Sequence, residues 1–217
     1  MYLYSFLHPG AQQSQVSFDS PDIAKFPNFA NANAMEAVLY PGDVLYLPPL
    51  WFHHVSALTI SMSVSIWTPF SETREMWKTV KTVLPFKSSW AAETRLLAAR
   101  KYLENVLSEV LEESPKQFVQ RLVTQRFEQL LNEAPEFQMT NRSFCVNDLV
   151  KKADVKAVES SHQELLSHAI NHAKLFMKAT NPKRREIWLG NMCEQLAMTV
   201  TEDVKAVPQF LTDFHKC

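Results

Sequence analysis

The stretch PGDVLYLPPLWFHHV, residues 41–55, decides how the first part of this chain is expected to fold. Pro41-Gly42-Asp43 is a turn sequence, and the apolar run from Val44 to Leu47 that follows it stops at Pro48-Pro49, which cannot donate hydrogen bonds to a sheet. The pattern predicts a short strand between two breakers. Two aromatic residues then lead directly into the histidine pair His53-His54.

The residues that follow alternate strictly between apolar and polar side chains. Successive side chains of a strand point to opposite faces, so the stretch from Thr59 to Trp67 predicts a two-faced strand. The apolar face consists of Ile60, Met62, Val64 and Ile66, and the other face consists of Thr59, Ser61, Ser63, Ser65 and Trp67. We expect the apolar face to lie in a core. The small polar face either lines a cavity or meets solvent, as in an ordinary sandwich.

Length and composition favour a globular intracellular protein of the cytoplasm or nucleus. The chain has 217 residues, 46% of them hydrophobic, and only 3 glycines, which argues against a glycine-rich phosphate loop. Its net charge of -1 draws it neither to nucleic acid nor to an anionic membrane. Three cysteines without a CxxC motif fit reduced thiols, and the apolar start of the chain is too short for a membrane span.

Residues from about 71 onward show helical periodicity. Ser114-Pro115 followed by Gln117 predicts a helix start, and Asn181-Pro182 predicts another. Two further helices are expected, one over about 89–112 and one capped by Ser161 with Glu164. The apolar positions expected on these four helices are Leu96, Leu103, Val106, Val110, Val119, Leu122, Val123, Phe127, Leu130, Leu166, Ile170, Ala173, Met177, Ile187, Met192 and Leu196.

Two groups of histidines are candidates for metal binding. His168 and His172 are four residues apart on an expected helix, so both could reach one ion, but no third ligand is evident and a polar helix edge gives the same pattern. His53 starts a strand between Trp51 and Trp67, and neutral imidazole suits Fe, Zn and Cu. A packed, hydrogen-bonded structural histidine is the alternative for His53.

Residues 41–55 resemble the segment that carries the last histidine of the metal triad in Jumonji-C oxygenases, which belong to the cupin-like proteins. Upstream, QSQVSFDSPDIAKFPNF, residues 13–29, is similar to the connection found in the hypoxia-factor asparaginyl hydroxylase and the tRNA wybutosine hydroxylase. Downstream, SIW at 65–67 resembles the end of the strand that closes the cofactor pocket. The resemblance covers roughly the first third of the chain.

The resemblance implies an α+β fold in two parts. Residues 1–70 would form the C-terminal half of a double-stranded β-helix, the jelly-roll of the cupins. Residues 71–217 would form a helical region that serves dimerisation or partner binding.

The resemblance also implies a chemistry. Members of the family use Fe(II) and 2-oxoglutarate to hydroxylate aliphatic C–H bonds, here in a protein side chain or a modified tRNA base. His53 matches the distal iron ligand and Trp67 an aromatic beside the cosubstrate, while Trp51, Ser63 and Ser65 would line the pocket. Ser65 stands where the asparaginyl hydroxylase has an asparagine, so that polar contact departs from the pattern.

A second departure from the family concerns the other two metal ligands. The family needs a histidine and an acidic residue two positions later, ahead of the last histidine, and no His-x-Asp or His-x-Glu precedes His53. We therefore expect a chain that begins downstream of both ligands, as a truncated product, isoform or fragment would. It should not bind Fe(II) and 2-oxoglutarate stably by itself, and should be inactive as an oxygenase.

The alternative is a non-catalytic binding or scaffold protein. Its support is the helical two-thirds of the chain, whose apolar stripes need partners that include a second copy of the chain. A third hypothesis, RNA binding through Lys183-Arg184-Arg185 and Lys151-Lys152, is opposed by the net charge of -1. We expect neither a membrane nor DNA as a partner.

Overall fold

A computed structural model describes residues 2–11, 13–48, 51–69, 74, 86, 89–133, 166–178 and 180–216. Five α-helices occur among these residues: α1 (Ala92–Val110), α2 (Pro115–Glu133), α3 (166–178), α4 (Pro182–Thr201) and α5 (Val207–Lys216). Two short 3₁₀ helices cover Pro27–Asn31 and Val204–Ala206. None of the described helices is long and apolar enough to cross a membrane.

The helix starts that contain proline are confirmed. α2 begins at Pro115, and the amide of Phe118 donates to the carbonyl of Ser114 at 3.1 Å. α4 begins at Pro182, where the amides of Arg184 and Arg185 both donate to the carbonyl of Asn181. Proline suits the first turn because its missing N–H would have had no partner inside the helix.

The other two predicted helices are also present. α1 ends at Val110, close to the predicted end, and Leu96, Leu103 and Val106 are buried on it. On α3 the predicted Ala173 is buried, and Leu166, Ile170 and Met177 pack partly buried against the core. The proposed cap of α3, Ser161 with Glu164, lies outside the described residues.

The helices share one hydrophobic core. α2 and α4 both pack on α5, and α1 packs on α4. Fully buried core residues come from four helices: Leu103, Leu107, Val119, Cys193 and Leu211. Each leucine or valine buried in this way contributes about 1.5–3 kcal/mol to folding, so the core accounts for the compactness of the helical region.

The turn predicted at Pro41-Gly42-Asp43, at the start of residues 41–55, is confirmed. Gly42 has φ +96, a backbone conformation that glycine adopts without steric cost. The amide of Asp43 donates to the carbonyl of Tyr40, and its carboxylate accepts from the Tyr40 amide at 2.8 Å. These bonds reverse the chain just before Val44, as predicted.

The chain after this turn is extended, but the described residues between 32 and 69 form no strand pairing. The apolar face predicted to lie in a core is exposed instead: Ile60 is 108% exposed and Met62 is 94% exposed. A strand face becomes buried only when another layer packs on it, and nothing in the described part of the chain does so. The β-helix therefore stays a prediction.

The first residues of the chain lie against the helices. The amide of Tyr4 donates to Gln13, the amide of Gln15 donates to Tyr2, and Leu3 bridges Ser14 in the antiparallel sense. We call residues 2–15, without residue 12, the N-terminal hairpin. The proposed boundary near residue 70 falls mostly outside the described residues, so the division into 1–70 and 71–217 stays a prediction.

Candidate functional site

His53 is held by a contact to its own backbone. The amide of Trp51 donates to the carbonyl of Pro48 at 3.2 Å, and this turn brings the Trp51 carbonyl to 3.1 Å from Nδ1 of His53. When Nδ1 carries the proton, it donates to that carbonyl, and the lone pair then lies on Nε2. The imidazole is exposed, and among the described residues none forms a hydrogen bond or ion pair with Nε2. In that tautomer the imidazole can ligate a metal through Nε2.

His54 has a different environment. The ring of Phe18 stacks on its imidazole with the centroids 4.7 Å apart and the planes at 13°. Its Nε2 lies 3.2 Å from Oγ of Ser56 and 3.7 Å from Oδ1 of Asp19. These groups surround Nε2 of His54, whereas the one contact of the His53 imidazole is made by Nδ1.

The residues near His53 do not by themselves assemble a metal site. No group of three His, Cys, Asp or Glu side chains within the described ranges could hold an ion. A 2-oxoglutarate oxygenase needs two histidines and a carboxylate on one face of the iron, and His53 would be one of these three if the predicted role is right. The described donor set therefore fits a single ligand and not a complete iron centre.

The predicted pocket residues do not converge in the described structure. Trp51 is 47% exposed and Trp67 is 86% exposed, and Ser63 and Ser65 are exposed as well. No hydrogen bond or ring contact between described residues joins Ser63, Ser65 or Trp67 to His53. Their role in lining a cofactor pocket stays a prediction.

The second histidine pair lies on one edge of α3. The ring centroids of His168 and His172 are 6.4 Å apart and the rings are tilted by 36°. The described chain offers these two rings no third metal ligand. Both interpretations of this pair, a metal site and a polar helix edge, therefore stay predictions.

Sequence reasoning missed the contacts of Phe18 and Asp19 with His54. Both residues lie within the stretch 13–29, whose resemblance to oxygenases was recognised, but a contact between positions more than thirty residues apart has no local signal. A second omission is a buried cluster centred on Glu194, which joins the N-terminal hairpin to the helices. A single acidic residue in an apolar helix stretch is the sign that could have indicated it.

A protein-family model described as a Cupin-like domain matches residues 1–73. Over 63 residues the chain is 48% identical to lysine-specific demethylase 8 of Xenopus tropicalis. The aligned stretch covers 29% of this chain and 14% of that protein. It is 40% identical over 65 residues to human tRNA wybutosine-synthesizing protein 5, covering 30% of this chain and 20% of that protein.

A third relative is the human bifunctional peptidase and (3S)-lysyl hydroxylase JMJD7, 40% identical over 48 residues, or 22% of this chain and 15% of that protein. The chain thus spans between 14% and 20% of the length of these three relatives. No solved structure matches the chain. Residues 1–73 are therefore a Cupin-like segment related to the Jumonji-C proteins, as the motif around His53 predicted.

Proposed function

We propose that this segment supplies the distal histidine ligand, His53, to the Fe(II) centre of a Jumonji-C type 2-oxoglutarate-dependent oxygenase. The observation that supports it best is the contact between Nδ1 of His53 and the Trp51 carbonyl, which leaves Nε2 directed away from the backbone contact. Histidines that ligate metals usually donate their other ring N–H to a carbonyl or carboxylate in this way.

The local setting of His53 agrees with this role. The neighbouring His54 is engaged by Phe18, Asp19 and Ser56, so one imidazole of the pair is used structurally and the other is left for a ligand. Trp51, Ser63, Ser65 and Trp67 are proposed to line the cosubstrate pocket. Two further protein ligands must come from residues other than those described, because one imidazole does not hold iron stably.

The substrate of the oxygenase is proposed as a class. Among the relatives, one is named a lysine demethylase, one a lysyl hydroxylase and one a tRNA wybutosine-synthesizing protein. A side chain of a protein or a modified base of tRNA is therefore the substrate class that we infer for the complete enzyme. Its reaction would consume O₂ and 2-oxoglutarate at Fe(II): one oxygen atom would enter a C–H bond of that substrate, and 2-oxoglutarate would take the other and give succinate and CO₂.

The role of His53 is tested by placing the segment where the remaining ligands exist. Residues 13–69 would replace the matching stretch of human JMJD7, and lysyl hydroxylation by the chimera would be measured by mass spectrometry. The iron content of the purified chimera gives a second readout that does not depend on substrate fit. The chimera should bind iron and hydroxylate lysine.

The paired variants His53→Ala and His54→Ala in the chimera separate ligand from neighbour. Loss of an outer-shell partner typically costs about 10–100-fold in metal affinity or activity, so loss of a direct ligand should cost more. We expect His53→Ala to abolish iron loading and His54→Ala to reduce it by no more than about tenfold. Normal iron content and activity in His53→Ala would refute the proposed role.

A non-catalytic binding or scaffold role is a second candidate, and the exposed apolar face around Ile60 favours it. The buried core of the described chain lies mainly in the helices, whereas the apolar face around Ile60 is exposed. Light scattering coupled to size-exclusion chromatography would test whether the chain associates with itself. A strictly monomeric chain at micromolar concentration would count against association between copies.

A further inference from the structure

The carboxylate of Glu194 joins three segments of the chain at one buried point. Its Oε1 accepts from Nη1 of Arg126 on α2 at 2.9 Å. Its Oε2 accepts from Oγ of Ser5 at 2.7 Å and from the backbone amide of Phe6 at 2.6 Å. Glu194 is 0% exposed and Ser5 is 3% exposed, so water competes for none of these bonds.

The other side of this cluster is held by the helices. Arg126 also donates from Nη1 to Oδ1 of Asn191 at 2.8 Å and from Nη2 to the carbonyl of Ile187 at 3.2 Å. Gly190 lets α2 and α4 approach here, because a Cβ at this position would lie 2.8 Å from both Nη2 of Arg126 and Cδ1 of Leu122. These bonds hold the Arg126 guanidinium in place. The guanidinium in turn holds the Glu194 carboxylate, which faces the hairpin.

A buried ion pair contributes little net free energy to the packing of two helices. The cost of removing two charges from water often exceeds their attraction, and well-packed apolar residues of similar volume do as well or better. What an apolar pair cannot do is accept hydrogen bonds from Ser5 and Phe6. The arrangement is therefore explained better by the capture of the hairpin than by helix packing alone.

The hairpin has a second anchor on α2 and continues toward the histidine pair. Nε2 of Gln15 donates to the carbonyl of Leu3 at 2.6 Å and to that of Gln125 at 3.3 Å. Three residues further along the chain, Phe18 stacks on His54, and Asp19 lies beside the same ring. The chain from Ser5 to Asp19 thus runs from the buried carboxylate to the residue next to His53.

We propose that Glu194 is a latch: a positioning residue of the helical region that captures the N-terminal hairpin and thereby places Phe18 and Asp19 against His54. The inference goes beyond the proposed function, because it does not require His53 to bind a metal. It assigns to the helical region the task of holding the Cupin-like segment in place.

Hydrogen exchange of the full chain tests the latch, with Glu194→Gln as the main variant and Glu202→Gln as its control. Glu202 forms an exposed pair with Arg95 at 3.0 Å, and no hydrogen bond or ion pair between described residues joins its side chain to the hairpin. Hydrogen bonds to a charged group contribute enough that their loss should speed exchange of the Phe6 amide roughly 10- to 100-fold. The amides of α1 and α4 should change by less than about threefold.

A spectroscopic readout distinguishes a latch from a purely local role. In Glu194→Gln the ring-proton resonances of His54 should move toward their unfolded positions, while in Glu202→Gln they should stay. Unchanged Phe6 exchange in a folded Glu194→Gln protein would overturn the proposal. If the hairpin is released but the His54 resonances do not change, the claim that the hairpin places Phe18 and Asp19 against His54 is overturned.

If Glu194→Gln does not fold, a double variant provides the test instead. Arg126→Met with Glu194→Leu removes both charges, retains apolar volume between α2 and α4, and leaves Ser5 and Phe6 without an acceptor. The helices should stay protected while the hairpin exchanges freely. A hairpin that remains protected in the folded double variant would contradict the latch.

Discussion

The ring of Phe18 lies parallel to the imidazole of His54 at a centroid distance of 4.7 Å, and this contact distinguishes the two adjacent histidines. Phe18 is 56% exposed, so the stack contributes little through burial. Its effect is to fix the orientation of His54. The ring of His53 has a separate contact, from Nδ1 to the Trp51 carbonyl.

Replacing Phe18 tests its stack on His54. Phe18→Ala should shift the His54 ring protons downfield, since the ring current of Phe18 is lost, and should lower the free energy of unfolding by no more than about 1 kcal/mol. Phe18→Tyr keeps the ring and should leave the resonances nearly unchanged. Equal spectra for the alanine variant and the wild type would mean that the stack does not exist in solution.

Two arginines of α2 should differ sharply in their effect on stability. Arg126 is 6% exposed, and Arg126→Ala would leave the Glu194 carboxylate buried without its cation, a change that costs about 3–5 kcal/mol. Arg121 pairs with Glu113 and Glu186 at a partly exposed position, and Arg121→Ala should cost at most about 1 kcal/mol. Urea unfolding followed by circular dichroism measures both. Similar losses in the free energy of unfolding for the two variants would contradict the difference in burial between Arg126 and Arg121.

Gly190 is expected to violate the usual rule for glycine in helices. Alanine normally stabilises a helix interior by about 0.5–1 kcal/mol relative to glycine. At position 190, however, the added Cβ would displace Arg126 from its buried bonds and press on Leu122. Gly190→Ala should therefore destabilise the protein by about 1–3 kcal/mol, as overpacking does. A gain in the thermal midpoint would show that Arg126 can move aside at little cost.

Cys193 should be unreactive in the folded protein. Burial raises the pKa of its thiol to about 12, and the nearby Glu194 carboxylate acts in the same direction. The thiol therefore stays protonated up to pH values well above neutral, and it is also inaccessible. Iodoacetamide at pH 8, followed by peptide mapping, should label Cys193 only after denaturation. Labelling of Cys193 under native conditions at a rate typical of an exposed thiol would contradict its burial in the hydrophobic core.

The helical part of the fold could be predicted largely from the sequence. Pro115 and Pro182 mark helix starts by local chemistry, and the apolar spacing that includes Leu103 and Leu122 indicates the buried faces. α5 was missed, although Val207, Phe210, Leu211 and Phe214 follow helical spacing, because the helix is short and carries Pro208 at its start.

The site could be predicted only in part, for physical reasons. The resemblance identified the segment around His53, because its residues lie close together in the sequence, while the roles of His53 and His54 stay predictions. The bonds of Glu194 to Ser5 and Phe6 span almost the whole chain, and no local pattern specifies such a pairing. The alternation from Ile60 to Ile66 indicated a buried strand face, but burial depends on the layer opposite it.

The most direct test of the account is anaerobic titration of the folded chain with Fe(II) in the presence of 2-oxoglutarate, followed by its weak visible charge-transfer band. Wild type, His53→Ala and His54→Ala would be compared, with human JMJD7 as a positive control. Since no His-x-Asp or His-x-Glu precedes His53 in the sequence, we predict no band for any form of this chain. A band in the wild type that is lost in His53→Ala would support His53 as a ligand but contradict the expectation that this chain lacks the other two, because the chain would then assemble a complete iron site of its own.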